Sequence, residues 1–335
     1  MNTEILPAHT PELFQKAVHR AAELLRAGQV VALPTETVYG LAANALDASA
    51  VAKIFEIKGR PSHNPIIVHV ASLAMAKRCV TAFPLLAEQL AKAFWPGPLT
   101  MVLPRAYTIP AIVTAGGETV GVRWPSHPLI QAVTRECDFP LAAPSANLSN
   151  RISPTNATHV QNQLNGKIPA IVDGGQSGVG IESTVVDLTV SPPQILRPGM
   201  IHTESLAAAG MPLTTQSTSP QTGTLKSPGQ LKKHYAPKAK LLILNWRDDD
   251  ELKVQIQNSK SKLSHSHVIA HTCIPSAEPF ARVSVIPHDA EAFARAIYAE
   301  LHRCDEEGAQ IIVVEAPPAT PEWSGITDRL RRAAA

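Results

Sequence analysis

Short apolar runs, each ending on a polar or charged residue, recur along the first 200 residues and constrain the fold more than any other feature. "QVVALPT" runs into Thr35, "PIIVHV" carries His69 and "TVGVRWP" carries Arg123. "PLAAPSAN" reaches Ser145 and Asn147, and "PQILRPG" carries Arg197. Such runs read as short buried strands. Helical text lies between them. Residues 11–27, "PELFQKAVHRAAELLRA", repeat Phe14, Val18, Ala21 and Leu25 at helical spacing, with Gly28 as a stop. "DASAVAKIFEIK" reads as a helix capped by Asp47 or Ser49, with Val51, Ile54 and Phe55 facing inward. "PLLAEQLAKAFW" and residues 127–137 add two more helices. Strands alternating with helices give an α/β class, and open α/β sheets place ligand sites where strands end.

A chain of 335 residues suggests about two domains at roughly 100–200 residues each. A hydrophobic content of 44% with 17% charged residues excludes wholesale disorder. A net charge of +2 gives no bulk electrostatic case for a nucleic-acid protein. Cys79, Cys137, Cys273 and Cys304 are scattered with no C-x-x-C, which argues against a disulfide framework or a structural metal. The opening "MNTEILPAHTPELF" lacks a basic-then-apolar pattern, and no apolar run approaches the roughly 20 residues of a membrane helix. A cytoplasmic protein with no membrane partner is expected. The composition divides the chain into a first α/β domain at 1–205, a Pro/Thr/Ser/Gly-rich linker at 206–240 and a second α/β domain at 241–335. The linker reads as a solvated tether, although its "HYAP" is unusual for one.

Five stretches could carry chemistry. "LPTETVYGLAANA", residues 33–45, places Thr35, Glu36, Thr37 and Tyr39 after a strand, either as a capped polar turn or as a pocket floor for an amino acid. "FEIKGRPSHNPIIVHV" carries Lys58, Arg60, Asn64 and His69. A helix-end cation accounts for Lys58, and an ordinary strand histidine accounts for His69. The cations also suit phosphate. "LAAPSANLSNRIS" offers Ser145, Asn147, Ser149 and Ser153 beside accessible backbone, as a Ser/Asn turn or an anion site. "VDGGQSGVGIESTVVD" is glycine-rich but matches neither a Walker loop nor a dinucleotide fingerprint. Arg197 in "RPG" ends another apolar run, as Arg123 does in "GVRWP". No nucleophile elbow and no glycosidase-type acid pair appears. Glu36, Glu118, Asp173 and Glu182 are candidate magnesium neighbours, without a spacing that defines a ligand set.

"PTETVYGL", "KGRP" followed by "NPIIVHV", "WPGPLT", "GVRWP", "APSANLS" and "STVVD" with "RPG" together resemble the Sua5/YciO/YrdC family. The likeness spans about residues 15–200, and the K-x-R and S-x-N patterns of its active members appear as Lys58–Arg60 and Ser145–Asn147. "SPGQLKKHYAP" and the second α/β domain resemble the longer, two-domain Sua5 type. The resemblance implies a YrdC-like twisted open α/β sheet with a large concave cationic cavity and a smaller Rossmann-like C-terminal domain.

It also implies a nucleotidyltransferase that makes L-threonylcarbamoyladenylate and pyrophosphate from L-threonine, bicarbonate or CO2, and ATP with Mg2+. The product serves tRNA modification at adenosine 37 through a separate threonylcarbamoyl transferase complex. By the same resemblance, Thr35, Thr37, His69, Arg123, Ala143 and Ser183 hold threonine. Lys58, Arg60, Asn64, Thr119, Ser145, Asn147, Ser153, Arg197 and Tyr235 surround the nucleotide. Lys58, Arg60, Ser145 and Asn147 carry the catalytic weight, and Tyr235 makes the linker a lid. Two rival readings stand beside this one. One is a module that contacts RNA, double-stranded RNA or tRNA included. The other is a carbamoyl-adenylate enzyme with another acceptor.

Overall fold

The first long helix begins where the sequence supplies a cap. The Thr10 hydroxyl accepts from Leu13 N at 3.3 Å, and Pro11 opens the first turn. The next helix starts the same way, with Asp47 rather than Ser49 as the cap. It stops at Gly59, whose φ of 58° is left-handed.

The computed structural model describes residues 2–212, 225–229 and 235–335. It divides into two units, Met1–Ser149 with Ser153–Gln230, and Asn150–Ile152 with Leu231–Ala335. The first unit opens with β1 (Glu4–Pro7), α1 (Pro11–Arg26), β2 (Val31–Leu33), β3 (Gly40–Asn44), α2 (Ala48–Lys58) and β4 (Val68–His69). It continues through α3 (Leu73–Arg78), α4 (Leu85–Phe94), β5 (Leu99–Pro104), β6 (Thr119–Arg123), α5 (Pro128–Cys137) and β7 (Leu141–Ala142). It closes with α6 (Ala157–Leu164), β8 (Ala170–Asp173), β9 (Thr184–Asp187), β10 (Gln194–Arg197) and α7 (Thr203–Ala208).

These strands form one mixed sheet in the order β1-β8-β2-β3-β7-β4-β6-β5-β9-β10. Alternate residues of a strand enter different cores. Val31 and Leu33 of β2 pack with Leu25, Ile130 and Val172, whereas Ala32 packs with Ile54, Val68 and Val122. Both faces are therefore covered, which is why the strands read as unbroken apolar runs.

The second unit contains β11 (Lys240–Leu244), α8 (Asp249–Asn258), β12 (Ser266–Ala270), β13 (Arg282–Val285), α9 (Ala290–Glu306), β14 (Ile311–Glu315) and α10 (Ser324–Ala334). Its sheet is wholly parallel, ordered β11-β14-β12-β13. Glu315 ends β14 buried, and its carboxylate accepts from the backbone N–H groups of His271, Thr272 and Cys273.

Several elements differ from the sequence reading. "PIIVHV" gives a strand only at Val68–His69, because Ile66 N is drawn instead to the Val113 carbonyl in a loop. Part of the expected polar turn at 33–45 is β3, paired antiparallel with β2. Helices α3, α6 and α8 follow caps at Ser72, Asn156 and Asp248 that weak apolar periodicity concealed. Within the linker, Leu225–Gly229 is not a solvated tether. Lys226 Nζ lies 2.8 Å from the fully buried Asp187 carboxylate, and Ser227 is buried. All four cysteines are free. No helix among the described residues is long and apolar enough to cross a membrane.

Candidate active site

Sheet register fixes the centre of the site. His69 ends β4 directly beside Arg123, which ends β6, and opposite Leu141 of β7. Thr35, Glu36 and Thr37 occupy the connection between β2 and β3. The loop after β7 is stitched to that connection: Leu41 N donates to Pro144 O, and Ala146 N donates to Tyr39 O. Ser183 directly precedes β9, and Arg197 ends its antiparallel neighbour β10. Sheet neighbours thus bring together side chains far apart in sequence.

Gly59 separates the paths of the two K-x-R cations. Lys58 Nζ donates to the Ser145 carbonyl at 2.5 Å and also to the Asn147 carbonyl. Ser149 N in turn donates to Lys58 O, so the K-x-R and S-x-N stretches form one unit. Arg60 bends back the other way. Its Nε donates to Asn64 O at 3.1 Å and its Nη2 to Pro65 O at 2.6 Å, which braces the loop leading to His69. Lys58 is 3% exposed, and burial, followed by the Arg60 charge, holds its pKa well below the ordinary lysine value.

Arg123 is anchored from three sides. Nε donates to Gly97 O at 3.3 Å, Nη1 donates to the Thr37 hydroxyl at 2.9 Å, and Nη2 lies 2.7 Å from Glu36 Oε1. Thr37 in turn shares a hydrogen bond with Thr35 at 2.9 Å. The Glu36 contact is an ion pair by distance, but its angles lie outside hydrogen-bond geometry, so the carboxylate is buried with no formal donor.

His69 is buried, and desolvation together with the Arg123 charge lowers its pKa to about 3. It is a neutral imidazole at physiological pH. On the other flank, Arg197 Nη2 donates to the Ser183 hydroxyl at 3.0 Å, and that hydroxyl shares a 2.8 Å bond with Thr100. Ser153 donates to Glu182 at 2.6 Å. Among the described residues, both polar atoms of the Asn64 side chain and His69 Nδ1 are buried without a hydrogen-bond partner. Buried polar groups are ordinarily satisfied, so such a cluster marks where a polar ligand completes the network.

Most of the residues expected at a site in the first unit converge here, but Thr119 does not. Thr119 opens β6, four residues from Arg123, which places it roughly 13 Å away along the strand. Tyr235 belongs to the second unit, where its ring lies 6.1 Å from that of Tyr298 and 5.5 Å from the Arg329 guanidinium carbon. Ala143 brings no polar side chain, and its backbone N is committed to Ile67 O at 3.1 Å. Thr100 escaped the sequence reading, although it ends "WPGPLT"; nothing in one strand announces a hydroxyl contact across a sheet. The Glu36–Arg123 pairing was equally invisible, since 87 positions separate the two residues.

A covered α/β sheet with arginines, a lysine and hydroxyls at neighbouring strand ends defines an enzyme-like site for a small anionic ligand. Comparison with known proteins names the family. Residues 23–199 match the Sua5_yciO_yrdC model, described as "Telomere recombination", and residues 201–335 match the model "Threonylcarbamoyl-AMP synthase, C-terminal domain". The chain belongs to the Sua5/YciO/YrdC family, in its two-domain form. It is 39% identical to the threonylcarbamoyl-AMP synthase of Pyrococcus abyssi over 93% of this chain and 92% of that protein. It is 40% identical to the enzyme of that name from Bacillus subtilis, over 99% and 95%. The crystal structure of P. abyssi Sua5 complexed with L-threonine superimposes with a TM-score of 0.88 at 35% identity, covering all of this chain and 98% of that one.

Proposed function

We propose that this chain is a threonylcarbamoyl-AMP synthase, forming L-threonylcarbamoyladenylate and pyrophosphate from L-threonine, bicarbonate or CO2, and ATP, for tRNA threonylcarbamoyladenosine modification. The observation that carries the reading is the convergence of Arg123, Thr37 and a neutral His69, whose Nδ1 is buried without a hydrogen-bond partner, beside the Lys58-braced S-x-N loop. A guanidinium held on a rigid strand end receives the amino-acid carboxylate. A neutral imidazole suits the threonine hydroxyl, because it can donate or accept without adding charge. P. abyssi Sua5, a relative of known structure, has been crystallised in complex with L-threonine.

Two steps follow from the chemistry. The amine adds to carbon dioxide to give a carbamate. The carbamate oxygen then attacks the α-phosphorus and expels pyrophosphate. Neither step needs a covalent protein nucleophile. Catalysis rests on positioning and on cations that meet the charge as it moves. Lys58 and Arg60 serve by shaping the loops that flank the phosphates as well as by charge, since both donate to backbone carbonyls. Mg2+ would enter with ATP and neutralise part of the phosphate charge.

Arg197 Nη1 reaches Pro228 O at 3.5 Å, which supports a linker that closes over the nucleotide side. Cytoplasmic location and delivery of the product to a transferase acting on tRNA belong to the same proposal. The test is pyrophosphate release from ATP that requires both threonine and bicarbonate, without RNA. Release that ignores threonine points to another acceptor, and salt-sensitive RNA binding without turnover points to a binding module.

A further inference from the structure

Glu36 stands out because the reaction described above gives it no role. It is 9% exposed, lies 2.7 Å from Arg123 Nη2, and among the described residues neither carboxylate oxygen accepts a hydrogen bond. A buried carboxylate is ordinarily satisfied by donors, since its desolvation is costly. The nearby His127 does not neutralise it, because burial holds that imidazole below its ordinary value. Glu36 is thus aimed at Arg123, the guanidinium proposed to receive the amino-acid carboxylate.

We propose that Glu36 is a catalytic residue that receives the α-ammonium of threonine and takes from it the proton that must leave before nitrogen attacks carbon dioxide. The inference rests on the synthase reading and deepens it. Without ligand, Glu36 and Arg123 form a neutral pair. A zwitterion inserts into such a pair without changing the net buried charge: its carboxylate goes to Arg123 and its ammonium to Glu36. A ligand with only one of the two charges leaves the other protein charge buried and uncompensated, which is strongly unfavourable.

The proton balance closes. The ammonium gives one proton to Glu36, leaving an amine and a carboxylic acid. The nitrogen lone pair forms the C–N bond as a C=O pair of carbon dioxide moves to oxygen, and the nitrogen loses its second proton to solvent. When bicarbonate is the source, the proton on Glu36 drives its dehydration to carbon dioxide and water, which returns Glu36 to the carboxylate; when carbon dioxide is taken up directly, Glu36 releases that proton to solvent after the C–N bond has formed.

The other candidates for the base are committed elsewhere. His69 is held neutral by burial and Arg123, with a pKa of about 3, and so is a poor proton acceptor. Glu182 accepts from Ser153 at 2.6 Å. Lys58 is a donor to two carbonyls.

The test combines ligand analogues on the wild-type protein with the isosteric Glu36→Gln variant. By calorimetry, wild type should bind N-acetylthreonine, which lacks the ammonium, at least about 30-fold more weakly than threonine. Glu36→Gln should shrink that gap to within about threefold. In pyrophosphate release, Glu36→Gln should lose about 10²–10⁴-fold in kcat near neutrality, the usual worth of a positioned base. It should recover as pH rises and free amine appears, and Glu36→Asp should retain intermediate activity. Equal binding of threonine and N-acetylthreonine by wild type overturns the inference with no variant needed. So does a folded Glu36→Gln variant with wild-type kcat and pH profile. Wild-type protein that releases no pyrophosphate with threonine overturns the synthase reading, and this inference with it.

Discussion

Lys58→Met isolates what the buried ammonium does for the site. Methionine preserves most of the length and apolar stem but removes the donations to the Ser145 and Asn147 carbonyls. Hydrogen bonds from a charged donor contribute about 1.5–3 kcal/mol each, so the gross loss is about 3–6 kcal/mol. Burial and Arg60 both oppose the charged form, so removing the cation returns part of that sum. A net loss of about 1–3 kcal/mol falls on the order of the S-x-N loop. At about 1.4 kcal/mol per decade this corresponds to roughly 5–150-fold in kcat/KM for ATP, with KM for threonine changed less than about threefold. The assay is threonine- and bicarbonate-dependent pyrophosphate release with each substrate varied in turn, alongside thermal unfolding. A folded Lys58→Met enzyme with wild-type kcat/KM for ATP would refute the bracing role, and so would a loss confined to threonine.

Other consequences follow from the same geometry. Because the folded pKa of Lys58 lies below the free value of 10.5, MgATP binding should draw a proton onto it at alkaline pH; calorimetry in buffers of different ionisation enthalpy should detect uptake in wild type and none in Lys58→Met. The His69 pKa falls from 6.5 to about 3, so the unfolded chain binds the extra proton between those values; stability should fall by up to roughly 5 kcal/mol as pH drops through that window. Urea unfolding from pH 7 down to 4 should show a smaller loss in His69→Asn. A Cβ on Gly199 would sit 2.6 Å from Thr184 N and 2.9 Å from Ser183 C, both backbone atoms. Gly199→Ala should therefore destabilise by about 1–3 kcal/mol and raise KM by displacing Ser183 and Arg197, read from the melting temperature and initial rates.

The sequence by itself determined the class of fold and the residue types at the site. Apolar runs buried on both faces and capped amphipathic helices are local consequences of periodicity, so the helices at 11–26 and 48–58 were legible within a residue or two. Polar residues at the ends of those runs pointed to the site for the same reason: in a covered sheet, a strand end is where a side chain can meet a ligand. Element lengths were less legible, because the two-residue strand at Val68–His69 owes its limits to partners distant in sequence. Tertiary structure alone decided the pairings. Lys58 looked like a helix-end cation, yet its ammonium lies against carbonyls nearly ninety positions on. Glu36 looked like a turn residue or a magnesium neighbour, yet it faces Arg123 across the sheet. These contacts depend on strand order and register, which are set by long-range packing that no local pattern encodes.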